Sequence, residues 1–148
     1  MPCILFICGS NHSRSPLAAT FLQYLAQEKG CADISAVSAG LNTRNGEPLC
    51  PEVSELMAEY QCRPTPGGTR QLQAKMLKSA DLVLCMTREQ QQRLEKNYPS
   101  ARNKTKTLMS ILKREQDVFD PRNEGLERFR QCLAMMKPAL QELLERLC

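Results

Sequence analysis

The stretch that most limits what this chain can fold into is CILFICGSNHSRSP, residues 3–16. Cys3 to Ile7 is a short unbroken apolar run. Such a run has no polar face to turn toward water, so it reads as a strand buried on both sides, the habit of parallel sheets. A polar loop follows, and Ser15-Pro16 reads as a helix start, serine as the cap and proline at the first helical position. Leu17, Phe21 and Leu25 then recur every fourth residue, with Ala18 and Leu22 beside them, and Gly30 closes the helix.

The alternation continues. Ile34 to Val37 reads as a second strand ending at Ser38-Ala39-Gly40, Pro51 to Tyr60 as a helix, and Arg63 to Gly68 as a loop rich in proline and glycine. A short helix over Leu72 to Lys78 leads into a third strand, Ala80 to Met86. A polar surface helix, Thr87 to Tyr98, precedes a fourth strand, Thr105 to Met109. After the loop Phe119 to Gly125, the residues Leu126, Phe129, Leu133, Met136, Leu140, Leu143 and Leu147 keep helical spacing and mark a buried face. Pro138 lies inside that helix and predicts a kink, because it removes a backbone donor. Strands alternating with helices predict a single α/β domain spanning 1–148, a three-layer α/β/α arrangement around an open, mostly parallel sheet. Ligands of such sheets collect beyond the carboxyl ends of the strands, and Cys8 stands at one of those ends.

Composition narrows the function classes. The 148 residues, 42% of them hydrophobic, suffice for a core without covalent staples. A net charge of +4 with scattered basic residues argues against a nucleic-acid partner. The first residues lack the basic segment of a signal peptide and the length of a membrane span, so a cytoplasmic protein with no membrane partner is expected. The eight cysteines should then be thiols rather than disulfides. They show no C-x-x-C pairing, and His12 is the only histidine, so neither a metal site nor a cofactor is expected.

Chemistry concentrates in the first loop, where five residues separate Cys8 from Arg14. The spacing matters because it fills the whole turn between a buried strand and a capped helix. There, backbone N–H groups converge and the helix dipole adds positive potential, a ready site for phosphate-like oxyanions. A helix amino terminus near a guanidinium favours the thiolate form of a cysteine, which is the nucleophile. Arg14 offers a planar fork for two phosphate oxygens. Ser15 can donate to the sulfur and ease its departure.

CGSNHSRSP resembles the phosphate loop of the low-molecular-weight protein tyrosine phosphatase family, with the pattern C-x-G-N-x-C-R-S. The likeness extends to SAG at Ser38–Gly40, RQL at Arg70–Leu72, ADLVLCM at Ala80–Met86 and the Asp120-Pro121 pair. It implies a four-stranded parallel sheet and metal-independent hydrolysis of phosphomonoesters in a phosphorylated protein or peptide. By the same resemblance, Cys8 is the nucleophile that carries the phosphoryl group, Arg14 the clamp, and Asp120 the acid and then the base. Residues Gly9, Ser10, Asn11, His12, Ser13, Arg14 and Ser15 form the phosphate-binding loop, and Asn11 holds its shape.

Several positions depart from the pattern. Ser10 replaces the loop glycine, Ser13 replaces a second loop cysteine, and Gly67 stands where a histidine supports the loop asparagine. Arg44 and Arg122 occupy the places of aromatic substrate walls, and His12 that of an isoleucine or threonine. Three other readings stay open: a protein-arginine phosphatase on the same fold, a thiol-linked arsenate reductase, and a non-catalytic phosphate-binding module. The arginine reading is opposed by the two extra cations, and the arsenate reading by the want of a cysteine pair after the third strand.

Overall fold

The structure, a computed structural model, describes residues 2–148; residue 1, part of the expected span, lies outside the described residues. Four strands form one parallel sheet in the order β2-β1-β3-β4, where β1 is Cys3–Cys8, β2 Ser35–Gly40, β3 Leu82–Cys85 and β4 Thr105–Thr107. The helices are α1 Arg14–Glu28, α2 Pro51–Ala58, α3 Ala74–Ser79, α4 Arg88–Asn97 and α5 Leu126–Leu147. The expected three-layer α/β/α class is the one found.

Period-two side-chain alternation explains why an all-apolar β1 is needed. Ile4, Phe6 and Cys8 face a core shared with α1, α2 and α5, while Leu5 and Ile7 face a second core with Leu77 of α3 and Leu94 of α4. β3 divides likewise, Leu84 joining the first core and Val83 and Cys85 the second. Both faces of the central strands are therefore covered, which is what the unbroken apolar runs require.

Some boundaries differ from the sequence reading. α1 begins at Arg14, with Ser13 at the cap position, so Ser15 is inside the first turn and does not cap the helix. Its hydroxyl is engaged with Cys8 instead. The fourth strand ends at Thr107, because the chain turns into a 3-10 segment, Leu108–Leu112, that buries Leu108, Met109 and Ile111. α4 does begin after Thr87, whose hydroxyl accepts from the Gln90 N–H while the Gln90 side chain accepts from the Thr87 N–H, a reciprocal capping box. α5 runs without a break through Pro138. Pro138 and Ala134, whose carbonyl loses its helical donor, are both exposed, so water can satisfy that oxygen.

Cys31 and Cys148 are joined in a disulfide, with Cα atoms 6.1 Å apart. This corrects the expectation of thiols throughout. The turn after α1 and the end of α5 lie side by side, and the Lys29–Glu145 ion pair links the same two segments.

Candidate active site

β1 ends at Cys8, paired in register with Gly40 of β2, so the sulfur stands at the carboxyl edge of the sheet. The next residues curl back over that edge. The carbonyls of Cys8, Gly9 and His12 accept from the N–H groups of Leu41, Asn42 and Cys50 at 3.0, 2.9 and 3.0 Å, which ties the loop to the segment after β2. Asn11 takes the left-handed conformation, φ 63°, a region asparagine tolerates better than most residues. Ser10 does not, so its replacement of glycine needs no unusual backbone. The glycine that matters sterically is Gly40: a Cβ there would lie 2.9 Å from the Ser10 carbonyl carbon and 3.0 Å from the Asn11 nitrogen. Loop and strand end approach too closely for any side chain.

Inside this turn the Cys8 sulfur is 2.9 Å from the Ser15 hydroxyl and accepts from the Asn11 N–H at 3.3 Å. The Asn11 side chain uses every polar atom it has. Its amide donates to Ser15 Oγ at 2.8 Å and Ser38 Oγ at 2.9 Å, and its carbonyl accepts from the Arg70 N–H at 2.9 Å. Because Ser15 already accepts from Asn11, its own proton is directed at the sulfur. The histidine missing at Gly67 is not needed for this purpose, since Ser38 and the Arg70 backbone supply the support.

Arg14, half-buried at the start of α1, donates from Nη1 to the Val118 carbonyl at 2.8 Å, which anchors the guanidinium. Its Nε is buried and has no protein partner, leaving it free for an oxyanion. Asp120 reaches the loop from the far end of the chain: its Oδ1 accepts from Ser13 Oγ at 2.8 Å and its Oδ2 is 3.9 Å from Arg14 Nη2. The serine that stands for a second loop cysteine thus tethers the acid candidate. His12 is buried, with Nε2 3.1 Å from Glu47 Oε1 and Nδ1 unpartnered.

Of the two wall candidates, Arg122 is at the site. Its N–H donates to Asp120 Oδ1 at 3.1 Å, and its Nη1 lies 3.5 Å from Ser10 Oγ. Arg44 is exposed, and only its backbone carbonyl is engaged, by the Thr69 hydroxyl. Several other thiols hold their protons more tightly than a free cysteine. Burial pushes Cys85 and Cys132 up to about 12 and raises Cys50, where Arg122 partly opposes the effect.

A family model described as low molecular weight phosphotyrosine protein phosphatase matches residues 3–148. The chain belongs to this family. Among relatives, it is 28% identical over 145 residues to the "Probable low molecular weight protein-tyrosine-phosphatase EpsP" of Ralstonia nicotianae, covering 97% of this chain and 94% of that one. Among solved structures, a low molecular weight protein tyrosine phosphatase from T. tengcongensis is 30% identical with a TM-score of 0.92, covering 99% of both chains. The arginine phosphatase YwlE, solved as a cysteine-to-serine mutant with a phosphorylated active-site serine, is 25% identical with a TM-score of 0.91, covering 98% of this chain and 95% of its own.

Within this family frame, Ser38, Gly40, Arg70, Glu47 and Val118 are the participants that sequence reasoning did not assign roles. The SAG and RQL stretches were visible as resemblances, but nothing local to them says that a serine hydroxyl and a backbone N–H hold Asn11. Glu47 and Val118 carry no sequence signal at all.

Proposed function

We propose that this chain is a cysteine-dependent protein tyrosine phosphatase acting as one domain over 1–148. The observation that carries the reading is the Cys8 sulfur, held by the Ser15 hydroxyl and Asn11 N–H beside Arg14, with Asp120 tied to the same loop by Ser13. In the first step the Cys8 thiolate attacks phosphorus and an S–P bond forms. The bond from phosphorus to the tyrosine oxygen breaks, and Asp120 gives that oxygen its proton. Arg14 and the loop N–H groups of residues 9–15 meet the charge on the phosphoryl oxygens. In the second step Asp120 takes a proton from water, the water oxygen bonds to phosphorus, and the S–P bond breaks. The Ser15 hydroxyl steadies the departing sulfur.

The arginine phosphatase YwlE gives the second reading its support. Against it, Arg122 places a cation beside the loop, which repels a guanidinium-bearing substrate and suits an acidic phosphopeptide. Arsenate reduction through a thiol relay is disfavoured because Cys85 is buried in β3 and strongly protonated. A cytoplasmic location suits a working thiol at Cys8 and runs against the Cys31–Cys148 disulfide; among the described residues, no helix is long and apolar enough to cross a membrane.

The deciding experiment compares phosphotyrosine and phosphoarginine peptides, native against Cys8→Ser, with rapid quench to trap phosphoenzyme. Turnover of phosphotyrosine through a thiol-linked phosphoryl group is the expected result. Full activity in Cys8→Ser refutes the mechanism, and preference for phosphoarginine moves the assignment to the second reading.

A further inference from the structure

Behind the phosphate loop lies a cavity, about 290 Å³ in volume, between α1, β2 and the strap of chain from Gln61 to Arg70. It sits at the small end of the size range of ligand pockets. Its walls include Tyr24, Leu49 and Pro64 as apolar surface, Gln27 as a polar group, and the two cations Arg63 and Arg70. Among the described residues, neither guanidinium is paired with a carboxylate, although Arg70 is half-buried. Two unpaired forks beside an aromatic wall call for a planar anion.

The strap that lines this cavity also braces the active-site loop by two routes. The Arg70 N–H donates to Asn11 Oδ1, and Ser38, another wall residue, accepts from the Asn11 amide. The second route runs through Thr69, which exchanges backbone hydrogen bonds with Gly46 and Glu47, the latter paired with His12. Gly68 is pressed against the same segment: a Cβ there would come 2.3 Å from the Glu47 carbonyl oxygen. Strap and loop 44–47 therefore move together or not at all.

We propose that this cavity is a regulatory site for a small aromatic anion, one ring or a fused pair bearing a carboxylate, sulfonate or phosphate. An occupant bridging Arg63 and Arg70 fixes the strap, holds the Arg70 N–H on Asn11, and so stiffens the phosphate loop. Oxyanion affinity at Cys8 rises as a result, and by linkage an oxyanion in the loop tightens the cavity by the same factor. The regulatory consequence rests on the phosphatase reading, whereas the binding itself does not.

The test titrates naphthalene sulfonate into the full chain by calorimetry, with and without saturating tungstate to fill the phosphate loop. Binding should persist with tungstate and tighten about fivefold or more. Arg63→Glu, at an exposed strap position, and Ala19→Met, which fills the cavity, should each weaken the probe about tenfold or more. Both should leave turnover of p-nitrophenyl phosphate unchanged when no probe is present. If Ala19→Met does not fold, Arg63→Glu alone decides. Failure to bind the tungstate complex, indifference to both substitutions, or tungstate affinity unmoved by the probe would each overturn the proposal. Coupled binding of probe and tungstate in a chain that hydrolyses no phosphoester would instead sink the phosphatase reading and leave the cavity site standing.

Discussion

Asn11→Ala is the most informative single substitution in this molecule. It removes one acceptor, facing the Arg70 N–H, and two donors, facing Ser15 and Ser38. Each hydrogen bond contributes about 1 kcal/mol net, so the three amount to about 3 kcal/mol. The backbone adds a separate cost, because residue 11 sits at φ 63°, where alanine is disfavoured by about 1 kcal/mol or somewhat more. The sum, about 4 kcal/mol, is a large part of the roughly 5–15 kcal/mol that holds a typical domain folded. It should lower the thermal midpoint by roughly 8–16 °C in a chain of this length. Asn11→Gly separates the two terms, since glycine accepts the left-handed backbone but restores no amide. It should lose about 3 kcal/mol, less than alanine. Urea unfolding followed by far-UV circular dichroism suits a chain without tryptophan. Turnover measured beside it should fall through kcat, because the Asn11 N–H no longer stays aimed at the sulfur. A loss below about 1 kcal/mol in Asn11→Ala, with kcat intact, would refute this account of the loop.

The two glycines near the sulfur should behave oppositely. Gly40→Ala forces a Cβ into the loop backbone and should cut kcat/KM about tenfold or more, whereas Gly9→Ala meets nothing within 4 Å and should shift stability by less than about 0.5 kcal/mol. Ser13→Ala frees Asp120 from its tether, and kcat should fall several-fold while oxyanion affinity measured with tungstate stays level. The buried thiols set an alkaline limit. Cys85 and Cys132 hold their protons to about 12 in the folded chain but release them near 9 once unfolded. The stability these two thiols contribute is therefore fully present below about pH 9 and is lost above it, by up to about 1.4 kcal/mol per pH unit for each thiol. Urea midpoints against pH should show a flatter decline in Cys132→Ala. Reduction of the Cys31–Cys148 bond, which closes a segment of more than a hundred residues, should lower the urea midpoint of the native chain and leave Cys148→Ser unaffected; the chain-entropy effect is about 4–5 kcal/mol.

The loop from Cys8 to Arg14 was legible because its signals are local: an apolar run that needs two cores, a polar turn, and a serine-proline pair in the first turn of a helix. Even there the helix cap is Ser13, two residues before the Ser15 cap that the sequence suggests. Ser15 has the composition of a cap, but its hydroxyl finds the sulfur, a partner seven residues earlier that only the folded turn brings within 2.9 Å. The doubts raised by Ser10, Ser13 and Gly67 were also sequence-level doubts with tertiary answers. Ser10 escapes the left-handed region, Ser13 acquires Asp120, and Ser38 with the Arg70 backbone does the holding that a histidine at Gly67 was expected to do.

By itself, then, the order of residues determined the layers and the parallel sheet, because periodicity depends only on near neighbours, while resemblance to the family singled out Cys8, Arg14 and Asp120 as the candidate thiol, clamp and carboxylate. The tertiary structure decided how those groups are held. The register of Cys8 against Gly40, the reach of Asp120 to Ser13 and the strap behind Asn11 join residues 32 to 107 positions apart. Contacts over such separations follow from how sheet and helices pack, and short-range patterns carry no record of them.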